Sequence, residues 1–119
     1  MRVLDASAAL AFLLGEPGAD VVKEHVSDAV IGAANLCEVL CRFNSVAEAG
    51  FAASLLETWG VRTEPVTRAD ATLAASLKRR LPHLSLGDRL CLALSERLDA
   101  EVFTADRAWG DEGRVRQIR

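Results

Sequence analysis

Arg2-Val3-Leu4-Asp5-Ala6-Ser7-Ala8-Ala9-Leu10 opens on three residues that read as a short strand, which Asp5 stops. From Ala6 to Leu14 the chain is rich in alanine and leucine, residues that favour helix, until Gly15-Glu16-Pro17-Gly18 breaks the run. A strand that passes into a helix through a single acid is the beginning of a β–α unit, and the rest of the chain continues the alternation.

A second helix is expected from about Ala19 to Val26, followed by an apolar strand at Ala29–Gly32. Asn35-Leu36-Cys37-Glu38 pairs a capping residue with an acid three positions on, and so predicts a helix running into the forties, with a break at Gly50. Helix resumes over Phe51–Trp59 and ends at Gly60. Val61–Val66 reads as a strand, Thr67 as the cap of a helix reaching about Leu81, and Ser85-Leu86-Gly87-Asp88 as another helix start running to about Leu98. Glu101–Thr104 and Val115–Ile118 close the chain as strands. Strands alternating with helices imply right-handed crossovers and a parallel sheet covered on both faces. The expected architecture is therefore a three-layer α/β/α sandwich, built as one domain over residues 1–119, with no linker, repeat or low-complexity tract.

The 119 residues are 50% hydrophobic, enough for a core without disulfides or a structural metal. Cys37, Cys41 and Cys91 form no C-x-x-C pair and read as small core hydrophobes; neither His25 nor His83 has ligand-like spacing to them. No apolar run is of bilayer length, and the four residues before Asp5 leave no room for a signal sequence, so a cytoplasmic protein that does not enter a membrane is expected. The net charge of −3 and a pI near 5.4 exclude broad, charge-driven nucleic-acid binding, which needs a dense cationic surface. Of the 14 basic residues only Lys23 and Lys78 are lysine; the others are arginine, the better side chain for bidentate phosphate contacts.

In an open α/β sheet ligands bind beyond the carboxyl ends of the strands. Four acids are expected there: Asp5 after the first strand, Glu38 in the first turn of the helix after the second, Asp106 after the strand ending at Thr104, and Asp88 at the start of the helix that leads into that strand. Each taken alone has a local explanation as a helix cap or turn residue. Together they demand another, because two carboxylates about 4 Å apart repel by about 4 kcal/mol at an effective dielectric near 20. A domain whose stability is only about 5–15 kcal/mol does not gather such acids without a cation. All-oxygen ligands select Mg2+ or Mn2+ over zinc, and such an ion at a phosphate is a hydrolase arrangement.

The segments Val3-Leu4-Asp5-Ala6-Ser7-Ala8, Asn35-Leu36-Cys37-Glu38-Val39, Leu84-Ser85-Leu86-Gly87-Asp88-Arg89-Leu90-Cys91 and Phe103-Thr104-Ala105-Asp106-Arg107-Ala108-Trp109 resemble the four acidic motifs of the PIN-domain family, in the order and spacing of its VapC-type toxins. The resemblance covers essentially the whole chain. It implies that Asp5, Glu38, Asp88 and Asp106 bind Mg2+ or Mn2+ and position the water that cleaves an RNA phosphodiester, with Ser7 and Thr104 supporting the acids; as local features those two hydroxyls also fit a helix start and a strand end. It implies an RNA substrate, a homodimer and inhibition by a cognate VapB-type antitoxin. Some relatives carry a further acid soon after the fourth, whereas here Arg107-Ala108-Trp109 precedes Asp111, a departure that bears on a second metal site. Among the arginines, Arg89 and Arg107 each follow a proposed ligand directly and are the expected RNA contacts. The apolar stretches Ala6–Leu14 and Leu36–Phe43 offer more hydrophobic surface than one small sheet covers, which also points to a homodimer.

Other readings are weaker. A signalling module similar to receiver domains would need a lysine after a late strand, and none follows Lys78. A phosphatase with a nucleophilic aspartate, similar to haloacid dehalogenases, would carry an acid two residues after Asp5, where Ser7 stands. A metal-free ribonuclease would need positioned histidines, and His25 and His83 lie outside the acidic motifs. A housekeeping RNA-processing nuclease of the same family remains the alternative to a toxin.

Overall fold

The computed structural model describes residues 1–119. Five strands, β1 (Arg2–Leu4), β2 (Ala29–Gly32), β3 (Arg62–Glu64), β4 (Glu101–Thr104) and β5 (Val115–Gln117), form one sheet in the order β3-β2-β1-β4-β5. All four pairings are parallel. The chain supplies α1 (Ala6–Leu14), α2 (Ala19–His25), α3 (Ala33–Leu40), α4 (Val46–Thr58), α5 (Arg68–Arg80) and α6 (Leu86–Arg97) between the strands. None of these helices is long and apolar enough to cross a membrane.

Successive residues on a strand point to opposite faces, and the central strands are apolar at both parities because both faces are covered. Leu4, Ile31 and Phe103 join Ala8, Ala11, Val22, Val39 and Leu56 in one core under α1 to α4. Val3, Val30 and Val102, which are register partners across β2, β1 and β4, join Leu84, Cys91, Leu94 and Trp109 in a second core under α6. The two cores follow from right-handed crossovers: β1 to β2 to β3 steps one way along the sheet, and the return from β3 to β4 puts α5 and α6 on the other face. The α/β/α sandwich expected from the sequence is the observed architecture.

The middle of the chain departs from expectation. Asn35 is not a cap; Gly32 is, so α3 starts three residues earlier and Asn35 lies buried inside it. This helix ends at Leu40, and a new cap, Ser45, accepts from the Glu48 N–H at 3.1 Å to open α4. Gly50 then sits within α4 rather than breaking it. A helical glycine costs about 1 kcal/mol relative to alanine, and the burial of Ala52 and Leu56 on the inner face offsets it. Gly18 has a positive φ of 98°, and a Cβ there would lie 2.7 Å from the Ile118 side chain, so only glycine admits the chain's last turn against the α1–α2 corner.

Two helices of the second face are bolted by charge. The Thr67–Asp70 capping box opens α5, and the same Asp70 carboxylate accepts from Arg97 of α6, at 2.9 Å from Nε and 3.2 Å from Nη2. Arg97 Nη2 also reaches the Pro65 carbonyl at 3.2 Å. Asp70 thus both completes a helix cap and ties α5 to α6.

Candidate functional site

Strands β2 and β3 lie on one side of β1, and β4 and β5 on the other, so the connections diverge between β1 and β4. A crevice at the carboxyl ends of the strands is the physical result of that divergence. A cavity of about 400 Å³ occupies it, lined by Asp5, Ser7, Glu38, Asp88 and Asp106 together with Leu10, Ala6, Glu16, Arg42 and Arg119. The four acids singled out in the sequence come from four separate segments and share this one cavity.

Asp5 is the most enclosed, only 3% exposed, and caps α1 by accepting the Ala8 N–H at 2.7 Å. Ser7 Oγ donates to it at 2.7 Å and Thr104 Oγ1 donates to its other oxygen. Both hydroxyls also accept backbone N–H groups from the end of β4: Ala105 gives to Ser7 at 2.8 Å, and Asp106 gives to Thr104 at 3.0 Å. Each hydroxyl has one proton, so accepting those amides leaves that proton for Asp5. The loop bearing Asp106 is thereby tied to Asp5. Three protons meet a carboxylate with about four lone-pair positions, leaving one for an outside ligand. Burial pushes the Asp5 carboxyl from 3.8 up to about 6; bonds from Thr104, Ser7 and Ala8 pull against that rise, and the Asp88 charge adds to it.

The other three acids each keep an unengaged oxygen. Asp88 accepts the Ser85 N–H at 3.1 Å through Oδ2 while its own N–H bonds to Ser85 Oγ, a complete capping box. Asp106 accepts the Ala108 N–H at 2.9 Å through Oδ1, capping the 3-10 turn Arg107–Trp109. Glu38, on the exposed side of α3, takes a 2.8 Å bond from Asn35 Nδ2, which also donates to the Gly87 carbonyl at 3.1 Å. Glycine at 87 is needed for that approach, since a Cβ would stand 2.5 Å from Glu38 Oε1. Beneath them Cys91 is fully enclosed; burial raises its thiol pKa, and the charges of Asp5, Asp88 and Glu38 raise it further, so three of the acids act on one point. Cys91 is a core residue, whereas Cys37 on α3 and Cys41 at its C-terminal cap are exposed, contrary to the core role expected for all three.

In this side-chain arrangement no three of the acids meet closely enough to form a ready-made ion site. The donor chemistry nevertheless fits a hard divalent cation: all the ligating atoms are oxygens, and a carboxylate is held in a buried position without a basic partner.

The arginines are arranged differently from expectation. Arg89 turns to the far side of α6, where Nη1 donates to the Ala74 carbonyl of α5 at 2.8 Å. Adjacent helical residues are about 100° apart around the axis, so the residue after Asp88 does not share its face. Arg107 is exposed in its 3-10 turn and does not line the cavity. The lining cations are Arg42 and Arg119, and Glu16 is a fifth acid at the wall. Arg42 stands four residues after Glu38, a spacing that would share one face of the helix expected to run into the forties, although Arg42 itself lies in the turn after α3. Glu16 and Arg119 come from distant segments and gave none. Asn35, read as a cap, instead holds Glu38 in place.

A three-layer α/β/α domain with a carboxylate-lined cavity at its topological switch is the class defined by fold and site. The chain belongs to the PIN-domain family, whose model matches residues 2–111. That membership sets aside the receiver-like and phosphatase readings. A comparison with curated proteins finds no match. Among solved structures, a toxin–antitoxin complex from Klebsiella pneumoniae contains a similar chain, with TM-score 0.85 and 16% identity over 100% of this chain and 98% of that one. VapBC2 from Rickettsia felis, bound to a DNA fragment from its promoter, gives 0.76 and 8% over 98% and 97%. The Sarcin-Ricin loop cleaving toxin VapC20 of Mycobacterium tuberculosis gives 0.72 and 18% over 95% of each chain. At these identities the likeness is one of fold.

Proposed function

We propose that this PIN-domain protein is a Mg2+- or Mn2+-dependent ribonuclease and the toxin of a VapBC-type toxin–antitoxin pair. The observation that carries the reading is the assembly of Asp5, Glu38, Asp88 and Asp106 on one cavity at the switch point, with Asp5 buried among them. These four acids would hold the ion. When bound, it supplies a Lewis acid for the phosphodiester and lowers the pKa of a water to make the nucleophile.

The chain's own groups have distinct tasks. Ser7 and Thr104 fix both oxygens of Asp5, and Asn35 fixes one oxygen of Glu38, so that these ligands need little reorganisation. Glu38 and Asp106 are exposed and keep an oxygen free of internal bonds, which suits them to take the proton of the attacking water. Asp88 adds negative charge beside Asp5, which raises the affinity of the cavity for a cation.

The toxin assignment is supported by the fold likeness to chains of toxin–antitoxin complexes. It is also supported by an apolar groove of about 510 Å³ on the α4 side, lined by Leu13, Phe43, Phe51 and Leu55 among others, with Phe51 67% exposed. A VapB-type antitoxin segment and the partner copy of a homodimer are the occupants such surface suits. Purified protein should cut RNA with Mg2+ or Mn2+, stop in EDTA, and be silenced by a partner co-purified from its own operon. Cleavage that survives EDTA overturns the metal mechanism. Harmless expression of active enzyme without any inhibitor favours a housekeeping nuclease instead.

A further inference from the structure

The cavity that holds four acids has cations on its wall, and they are unpaired. Arg42 and Arg119 line it, yet neither lies within 4.0 Å of any carboxylate, although Glu16 and Glu38 line the same space. Four other arginines do pair: Arg2 with Glu101, Arg97 with Asp70 and Glu64, Arg114 with Glu96 and Asp99, and Arg116 with Glu101. Arg119 is aimed by a 3.2 Å bond from Nη1 to the Pro17 carbonyl, beside Glu16 in the α1–α2 corner. Arg42 lies in the turn after α3, two residues past its end at Leu40, and lines the cavity with Glu38.

An anionic backbone entering a carboxylate-lined cavity meets repulsion everywhere except at such groups. With a net charge of −3, the chain has no broad cationic surface to draw RNA in, so a local device must hold it. Guanidinium groups that are not already bound to acids are free to take phosphate oxygens in a forked geometry.

Resting on the ribonuclease reading above, we propose that Arg42 and Arg119 form the phosphate-binding wall of the cavity and hold a backbone phosphate of single-stranded RNA next to the bond being cut. They are positioning residues for the substrate, in the place the sequence assigned to Arg89 and Arg107. Their effect falls on substrate binding, so loss of either raises KM more than it lowers kcat.

The test uses the Asp5→Asn protein, which should bind without cutting, and a short fluorescein-labelled single-stranded RNA followed by anisotropy over a range of salt. Adding Arg42→Ala should weaken binding about tenfold and make the slope of log K against log salt shallower by about 0.7 per lost phosphate contact. Arg119→Ala should act in the same direction, and Arg42→Lys should recover part of the loss. Arg89→Ala and Arg107→Ala should leave the slope unchanged. Both wall residues are exposed, so circular dichroism should show unaltered folding. Unchanged affinity and slope in Arg42→Ala and Arg119→Ala, with RNA still bound by Asp5→Asn and cut by the wild type, overturn the wall and leave the ribonuclease reading standing. An otherwise native chain that neither binds nor cuts RNA removes both.

Discussion

The hydroxyls of Ser7 and Thr104, 97 positions apart in the chain, lie 3.3 Å from each other and both donate to the same carboxylate, that of Asp5. Each is held in that donating role by a backbone N–H of the loop that carries Asp106. The pair therefore fixes the charge of one acid and the position of another at once.

Ser7→Ala and Thr104→Val should each lower stability by about 1–3 kcal/mol, because each strands an amide and removes a donor from a buried carboxylate. Thr104→Val should be the larger, as Thr104 has no exposure whereas Ser7 is partly exposed. The double variant should depart from additivity by at least about 0.5 kcal/mol in urea unfolding, since the two share one acceptor. Strict additivity would show that the hydroxyls act independently.

The metal-free protein should lose stability as pH rises from 3.8 to about 6 through Asp5. A carboxyl whose folded pKa is raised binds more protons folded than unfolded in that window, so the folded state is favoured at its acid end. The full contribution is about 3 kcal/mol lost by neutral pH. Asp5→Asn should flatten this dependence and stabilise the metal-free protein at pH 7 while abolishing cleavage. Unfolding midpoints across that range in EDTA, for both proteins, measure it; parallel curves would remove burial of the Asp5 charge as the cause.

Asp70 should behave in the opposite sense. Burial pushes its carboxyl up, but the bonds from Arg97 and Thr67 outweigh this and hold it below the ordinary 3.8. Its stabilisation is present above the unfolded pKa and is lost as pH falls through the lower folded value. Asp70→Asn should cost about 1–3 kcal/mol at pH 7 and leave cleavage by the folded protein intact, because it acts between α5 and α6, away from the cavity. Loss of activity in folded Asp70→Asn would tie the α5–α6 bolt to catalysis.

Gly87→Ala should separate stability from activity. Alanine favours the first turn of α6 over glycine by up to about 1 kcal/mol, so unfolding should shift little. The new Cβ takes the place of Glu38 Oε1, and the flexible carboxylate moves aside, away from Asn35. Cleavage should fall at least tenfold, with a matching loss of Mn2+ affinity by calorimetry. Equal activity would mean that Glu38 has no fixed position to lose.

The sequence by itself determined the alternation of strand and helix, the double-faced apolar strands and most helix starts, and it singled out four acids that line one cavity, because periodicity and capping are written within a few adjacent residues. It misjudged Asn35 and Gly50, where a buried face and a new Ser45 cap outweighed local preference. The tertiary structure alone decided which hydroxyls meet on Asp5, that Asn35 and Gly87 together place Glu38, and that Arg42 and Arg119 rather than Arg89 and Arg107 face the acids. Those outcomes depend on the direction of a side chain around its helix axis and on the packing of segments far apart in the chain, and neighbouring letters fix neither.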